Sequence, residues 1–82
     1  MIENNTFTKI GSNMKTTITE KGFPILYSYT TPVAGRDEKG EFRTDRFYSV
    51  TTSRHINKWF NCDSKNKIGR IVKQSYINGL VR

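Results

Sequence analysis

The stretch YSVTTSRHINKWF (residues 48–60) is where the residue pattern changes from one period to another. Before it, apolar and polar residues alternate in twos. Within it, Ile56, Trp59 and Phe60 fall at i, i+3 and i+4, with Thr52 four residues earlier on the same face. That spacing predicts a short amphipathic helix over about 53–62, with its aromatic side packed on a sheet. The hydroxyl cluster Thr51, Thr52 and Ser53 is suited to the helix N-cap, since a side-chain oxygen there accepts from an unpaired amide of the first turn.

Outward from the helix, the reading is of strands. KTTITE (15–20) forms a first strand, and KGFP (21–24) a turn, with Gly22 free to take positive φ. Residues 25–34 alternate Ile25, Tyr27 and Tyr29 with Leu26, Ser28 and Thr30, which predicts a second strand with Pro32 at an edge, bulge or bend. GRDEKG (35–40) is a charged hairpin connection, and EFRTDRFYSV (41–50) a return strand broken near Thr44 and Asp45. IGRIVKQSY contains a further strand, and SYINGLV a last helical turn. The predicted fold is α+β, a small antiparallel sheet of three to four strands packed against one short amphipathic helix, because a sheet of this size needs such a cover. Residues 1–14, rich in Asn, Thr and Lys, are read as a loose N-terminal segment, and 15–82 as a single domain.

The totals bound the function. In 82 residues, 34% hydrophobic and 26% charged, the core is thin, yet ten aromatic residues can anchor it. One cysteine, Cys62, cannot form an internal disulfide, and no secretory leader is evident; both point to a cytoplasmic protein. No apolar run approaches the ~20 residues of a membrane span, so no membrane partner is expected. The net charge of +7 is segregated. Residues 1–45 hold six cations against six carboxylates, whereas residues 46–82 hold eight cations against Asp63 alone. Segregation of this kind predicts a positive face, for which a polyanion is the commonest partner.

The candidate binding residues follow from that face. Thr51, Thr52, Ser53 and Arg54 put hydroxyls and a guanidinium at a helix N-terminus, where they either cap the helix or hold a phosphate. Arg54, Lys58, Asn61 and Lys65 recur at i, i+4, i+7 and i+11 and would form one cationic stripe, with Asn57 or Asn61 near base edges, or a solvated face. Lys65, Lys67, Arg70 and Lys73 complete the basic half. Most aromatics are needed in the core. At most one or two, Tyr29 or Tyr48, are free to stack on single-stranded bases.

Catalysis is not expected. His55 has no partner set for a metal, and it is expected to stack near Trp59. Cys62 is seven residues on, at roughly 10 Å along a helix, too far for a Cys–His hydrogen bond. No phosphate loop of known spacing is present, and no metal or other cofactor is implied.

The segments Ser28, Tyr29, Thr31, Pro32, Val33 and Ala34, then Tyr48, Ser49, Thr51–Asn57 and Trp59, carry a pattern, SY-T-PVA followed by YS-TTSRHIN-W. It resembles a group of small uncharacterised proteins encoded by phages and mobile elements. The resemblance covers less than half the chain and implies such an origin, with no settled activity. Two readings result. The first is a non-enzymatic accessory protein that binds nucleic acid, DNA more readily than RNA, through the helix and basic half. The second is an inhibitor that docks on a host nucleic-acid-processing protein or a defence system, in the manner of anti-CRISPR proteins.

Overall fold

Strand β1 (Thr8–Gly11) turns back through Asn13 into β2 (Met14–Ile18), and a tight turn at 19–23 leads into β3 (Pro24–Ser28). Strands β4 (Thr31–Asp37) and β5 (Gly40–Thr44) complete the meander. Helix α1 (Val50–Phe60) then crosses over to β6 (Arg70–Val72), and α2 (Gln74–Leu80) follows. The structure, a computed structural model, describes residues 7–63 and 65–81. The strands lie in one sheet in chain order, antiparallel up to β5, with β6 parallel to β5. A parallel neighbour needs a crossover rather than a hairpin, and α1 lies in that crossover.

Alternation along the strands sends successive side chains to opposite faces, except at the register shift between β3 and β4, where the extra residue Val33 joins Ala34 in the same core. Leu26, Val33, Ala34 and Met14 meet Ile56 of α1, with Trp59 and Phe60 packed partly against them. Ile25 and Phe42 meet Ile77 of α2, with Val72 and Leu80 beside them. The sheet is therefore covered on both faces by two small cores. Gly35 lies against the α2-side core: a Cβ there would lie 2.6 Å from the Pro24 carbonyl oxygen and 2.9 Å from Phe42 Cζ.

Three sequence expectations are corrected. The sheet has six strands and is mixed, not three to four and antiparallel, and two helices cover it rather than one. The expected strand 25–34 is two strands joined by the two-residue turn Tyr29–Thr30, with Ser28 paired to Thr31. Tyr29 takes φ 58, a left-handed backbone conformation that an aromatic residue seldom adopts, so no Gly or Asn marked the turn. Part of segment 1–14 is also ordered into the sheet, because Thr8 pairs with Thr16 and Lys9 with Lys15; residues 1–6 lie outside the described residues.

Helix α1 starts earlier than the hydroxyl cluster indicated. Its N-cap is Ser49, whose side chain accepts from the Thr52 amide at 3.1 Å. It ends at Asn61, which takes φ 56, and the Asn61 amide turns back to the Asn57 and Lys58 carbonyls. The left-handed residue closes the helix before Lys65 can join its face.

Candidate functional site

At the start of α1, four side chains link helix to sheet. Ser28 Oγ of β3 lies 3.0 Å from Thr52 Oγ1 and 2.8 Å from His55 Nδ1, and Ser49 Oγ donates to Thr52 Oγ1 at 3.3 Å. Ser49 donates to Thr52, the Thr52–Ser28 bond can run in either direction, and Ser28 donates to His55 Nδ1 in the tautomer that leaves this nitrogen unprotonated. Burial holds His55 below the ordinary histidine range, and the nearby Lys58 charge adds to that. The His55 ring tilts against Tyr29 at 5.9 Å, rather than stacking on Trp59 as expected. Thr52 is thus a buried clamp, Thr51 is exposed, and Ser53 is half-buried.

Two other buried groups use residues of the predicted interface. Arg43 of β5 is only 5% exposed, and its guanidinium is met by neutral oxygens: Nε donates to the Ile68 carbonyl at 2.9 Å and Nη2 to Asn57 Oδ1 at 3.0 Å. Cys62 Sγ lies 3.6 Å from both Arg43 Nη2 and Asn57 Oδ1. Asn57 therefore faces inward and holds the Arg43 charge. Asp37, with its side chain 1% exposed, accepts from Arg70 Nη2 at 2.7 Å, from the Lys39 amide at 2.8 Å and from the Tyr76 hydroxyl. Burial raises the Asp37 pKa, but the Tyr76, Arg70 and Lys39 hydrogen bonds together carry it below the ordinary value. Asp37 thus neutralises Arg70 and ties both β6 and α2 to β4.

The remaining cations divide between two ends of the sheet. Strands β3 and β5 each run antiparallel to β4, and β6 runs with β5, so all three finish at the same end. That end carries the Tyr29–Thr30 turn, Arg46 beyond β5, Arg54 in the first turns of α1, and Lys73 after β6. Strand β2 begins there, since Met14 pairs with Ser28, so Lys15 and its partner Lys9 flank it. Among the described residues, five cations stand there against one carboxylate, Asp45. The far end holds the turn at 19–23, the β4–β5 turn and the loop into β6. There Lys21, Lys39, Lys65 and Lys67 are interspersed with Glu20, Glu38 and Asp63. Among the described residues the ion pairs are Arg36–Glu41 and Arg70–Asp37, so none of the five cations at the positive end is paired with a carboxylate.

The predicted stripe is therefore cut. Arg54 and Lys58 are exposed on α1, Asn61 is its C-cap, and Lys65 and Lys67 lie past it. Arg54 and Lys73 share the positive end, Lys65 and Lys67 the far end. Sequence reasoning did not find Ser28, Ser49, Arg43 or Asp37. Only Ser49, a hydroxyl just ahead of the helix, carried a local signal. Arg54 and Lys58 also border an open groove of about 520 Å³ whose apolar lining includes Phe47 and Val50, which are 71% and 59% exposed.

Among the described residues no three His, Cys, Asp or Glu side chains come together as a metal site, and no helix is long and apolar enough to cross a membrane. Fold and site together define a small α+β domain with a mixed six-stranded sheet, one helix on each face, and, at one end, positive charge that has no carboxylate partner among the described residues. The chain belongs to the family of unknown function DUF8033, whose family model matches residues 2–78. No curated protein and no solved structure matches it.

Proposed function

We propose that this chain is a phage- or mobile-element-borne accessory protein that holds nucleic acid by its phosphates at the positive end of the sheet. The observation that carries the reading is the set of five cations, Lys9, Lys15, Arg46, Arg54 and Lys73, gathered there without a carboxylate partner among the described residues. Unpaired cations on one surface attract a polyanion and steer its approach. The origin rests on the SY-T-PVA and YS-TTSRHIN-W pattern. We assign no catalytic step, since Ser28, which lies beside His55, is 1% exposed and already bonded to Thr52. The test is binding of labelled DNA and RNA at low salt by the wild type and by Arg46→Gln, Arg54→Gln and Lys73→Gln. Each should weaken binding, whereas Lys65→Gln and Lys67→Gln, at the far end, should change it little.

One observation favours the inhibitor reading. The groove beside Arg54 and Lys58 exposes Phe47 and Val50, apolar surface that phosphate contacts do not use. A host protein with an acidic, apolar-centred surface would suit it. Capture of such a protein from nuclease-treated host lysate, lost in Phe47→Ser, would support this second reading.

A further inference from the structure

A cleft of about 400 Å³ opens where the β1–β2 and β3–β4 turns meet, lined by Phe7, Lys9, Asn13, Lys15, Tyr29 and Thr30. The Tyr29 amide donates to the Asn13 carbonyl at 2.8 Å, which fixes the two turns to each other. Resting on the phosphate-binding reading above, we propose that this cleft seats an unpaired base of single-stranded nucleic acid, with the base on the Tyr29 ring and its phosphate between Lys9 and Lys15.

Two features of the cleft carry this assignment beyond the contacts they make in the fold, where Tyr29 packs against His55 and Lys15 against Phe7. Lys9 and Lys15 stand directly opposite each other in the β1–β2 register. Like charges so placed repel and destabilise a sheet. Neither has a carboxylate partner among the described residues, and Lys15 Nζ instead sits 4.6 Å from the centre of the Phe7 ring. An anion between the two ammonium groups removes the repulsion. The second feature is Tyr29. Its φ of 58 would suit Gly or Asn better, yet the position holds a large ring that is 49% exposed. A strained turn that presents a half-exposed aromatic ring beside two unpaired lysines matches the parts of a single-strand site: a stacking surface and adjoining positive charge. Its volume is within the usual range for small-ligand pockets. Bases in a duplex keep their faces covered by neighbours, so the cleft selects unpaired strands. Stacking uses a face that every base has, so little sequence preference is expected.

The test compares a labelled oligothymidylate with a hairpin duplex of equal nucleotide count, by fluorescence anisotropy at low salt, with free thymidine monophosphate as competitor. The wild type should prefer the single strand, and the mononucleotide should compete weakly. Tyr29→Asn keeps a residue that tolerates the left-handed turn, so its Tm should hold or rise, while single-strand affinity falls about tenfold, the value of one stacked base. Duplex affinity should stay unchanged. Lys9→Glu replaces repulsion by attraction, so it should raise Tm and lower single-strand affinity. Equal affinity for the two forms, with Tyr29→Asn and Lys9→Glu binding as tightly as wild type, overturns this site while the phosphate reading stands. If neither form binds at low salt, both readings fall together.

Discussion

His55 Nδ1 lies 2.8 Å from Ser28 Oγ, so the chain's only histidine fastens α1 to β3. Ser28 can donate to that nitrogen only while it carries no proton. Burial and the nearby Lys58 hold the folded His55 pKa below its ordinary value of 6.5. A histidine whose folded pKa is depressed binds fewer protons than in the unfolded chain. Its contribution is full above pH 6.5 and is lost as pH falls through the lowered folded value. Thermal melts across mildly acidic pH should therefore show a falling Tm, and His55→Gln should flatten that dependence. A wild-type Tm that is constant or rising as pH drops through this window would contradict the clamp.

The N-cap assignment makes a sharper distinction among neighbouring hydroxyls. Ser49→Ala should cost about 1 kcal/mol, because it leaves the Thr52 amide without its acceptor. Thr51→Ala, at an exposed position, should be near neutral. Thr52→Val should also destabilise, since it removes the hydroxyl between Ser28 and Ser49. Chemical denaturation of the three variants checks the ranking.

Residues 33 apart in sequence meet at Asp37 and Arg70, and Tyr76 of α2 shares the same carboxylate. Asp37→Ala should lower Tm more than any change at Glu38, because it strands the Tyr76 hydroxyl and the Arg70 guanidinium together. The folded carboxyl is held below its ordinary value of 3.8, so its contribution is present above that pH and is lost as pH falls through the lowered value. That window lies below the histidine one. Two separate steps in Tm against pH are expected, and Asp37→Asn should remove the lower one.

Gly35 marks where the sheet has no spare volume. A methyl there would press on the Pro24 carbonyl, Ile25 Cδ1 and Phe42 Cζ, all within 3 Å. Two of these belong to the α2-side core, so the strain cannot be relieved by an exposed side chain. Gly35→Ala should destabilise by about 1–3 kcal/mol, whereas Gly79→Ala, with open space around its Cβ, should be neutral or stabilising. Guanidinium melts of the pair test this.

What could be read in advance was local. Ile56, Trp59 and Phe60 announced α1 because their spacing is that of a helix turn. A hairpin was legible from the glycines and charges of 35–40, but its turn is shorter than that stretch, since Gly35, Arg36 and Asp37 lie in β4 and pair with β5. The β3–β4 turn was not, because Tyr29 and Thr30 are strand formers, and the left-handed tyrosine is held there by the Asn13 carbonyl, a contact from another hairpin. The parallel pairing of β6 depends on Phe42 meeting Arg70, a register that no window along the chain contains. The candidate site shows the same limit. Counting charges by halves placed Arg70 with the free cations and Lys15 with the neutral ones. Folding pairs Arg70 with Asp37 and carries Lys15 to the end that Arg54 occupies. Arg43 was invisible for another reason: its buried charge is met by a carbonyl and an amide, so no acidic residue signalled its place.

The measurement that bears most directly on the positive end is the salt dependence of affinity for a single-stranded oligonucleotide. Each neutralised phosphate contributes a slope of about −0.7 in log K against log salt for single strands. Three to five contacts from Lys9, Lys15, Arg46, Arg54 and Lys73 therefore give a slope of about −2 to −3.5. Arg54→Gln should flatten it by about 0.7, and Lys67→Gln should leave it unchanged. A slope near zero, or one that Lys67→Gln flattens as much as Arg54→Gln, would contradict phosphate binding at this end of the sheet.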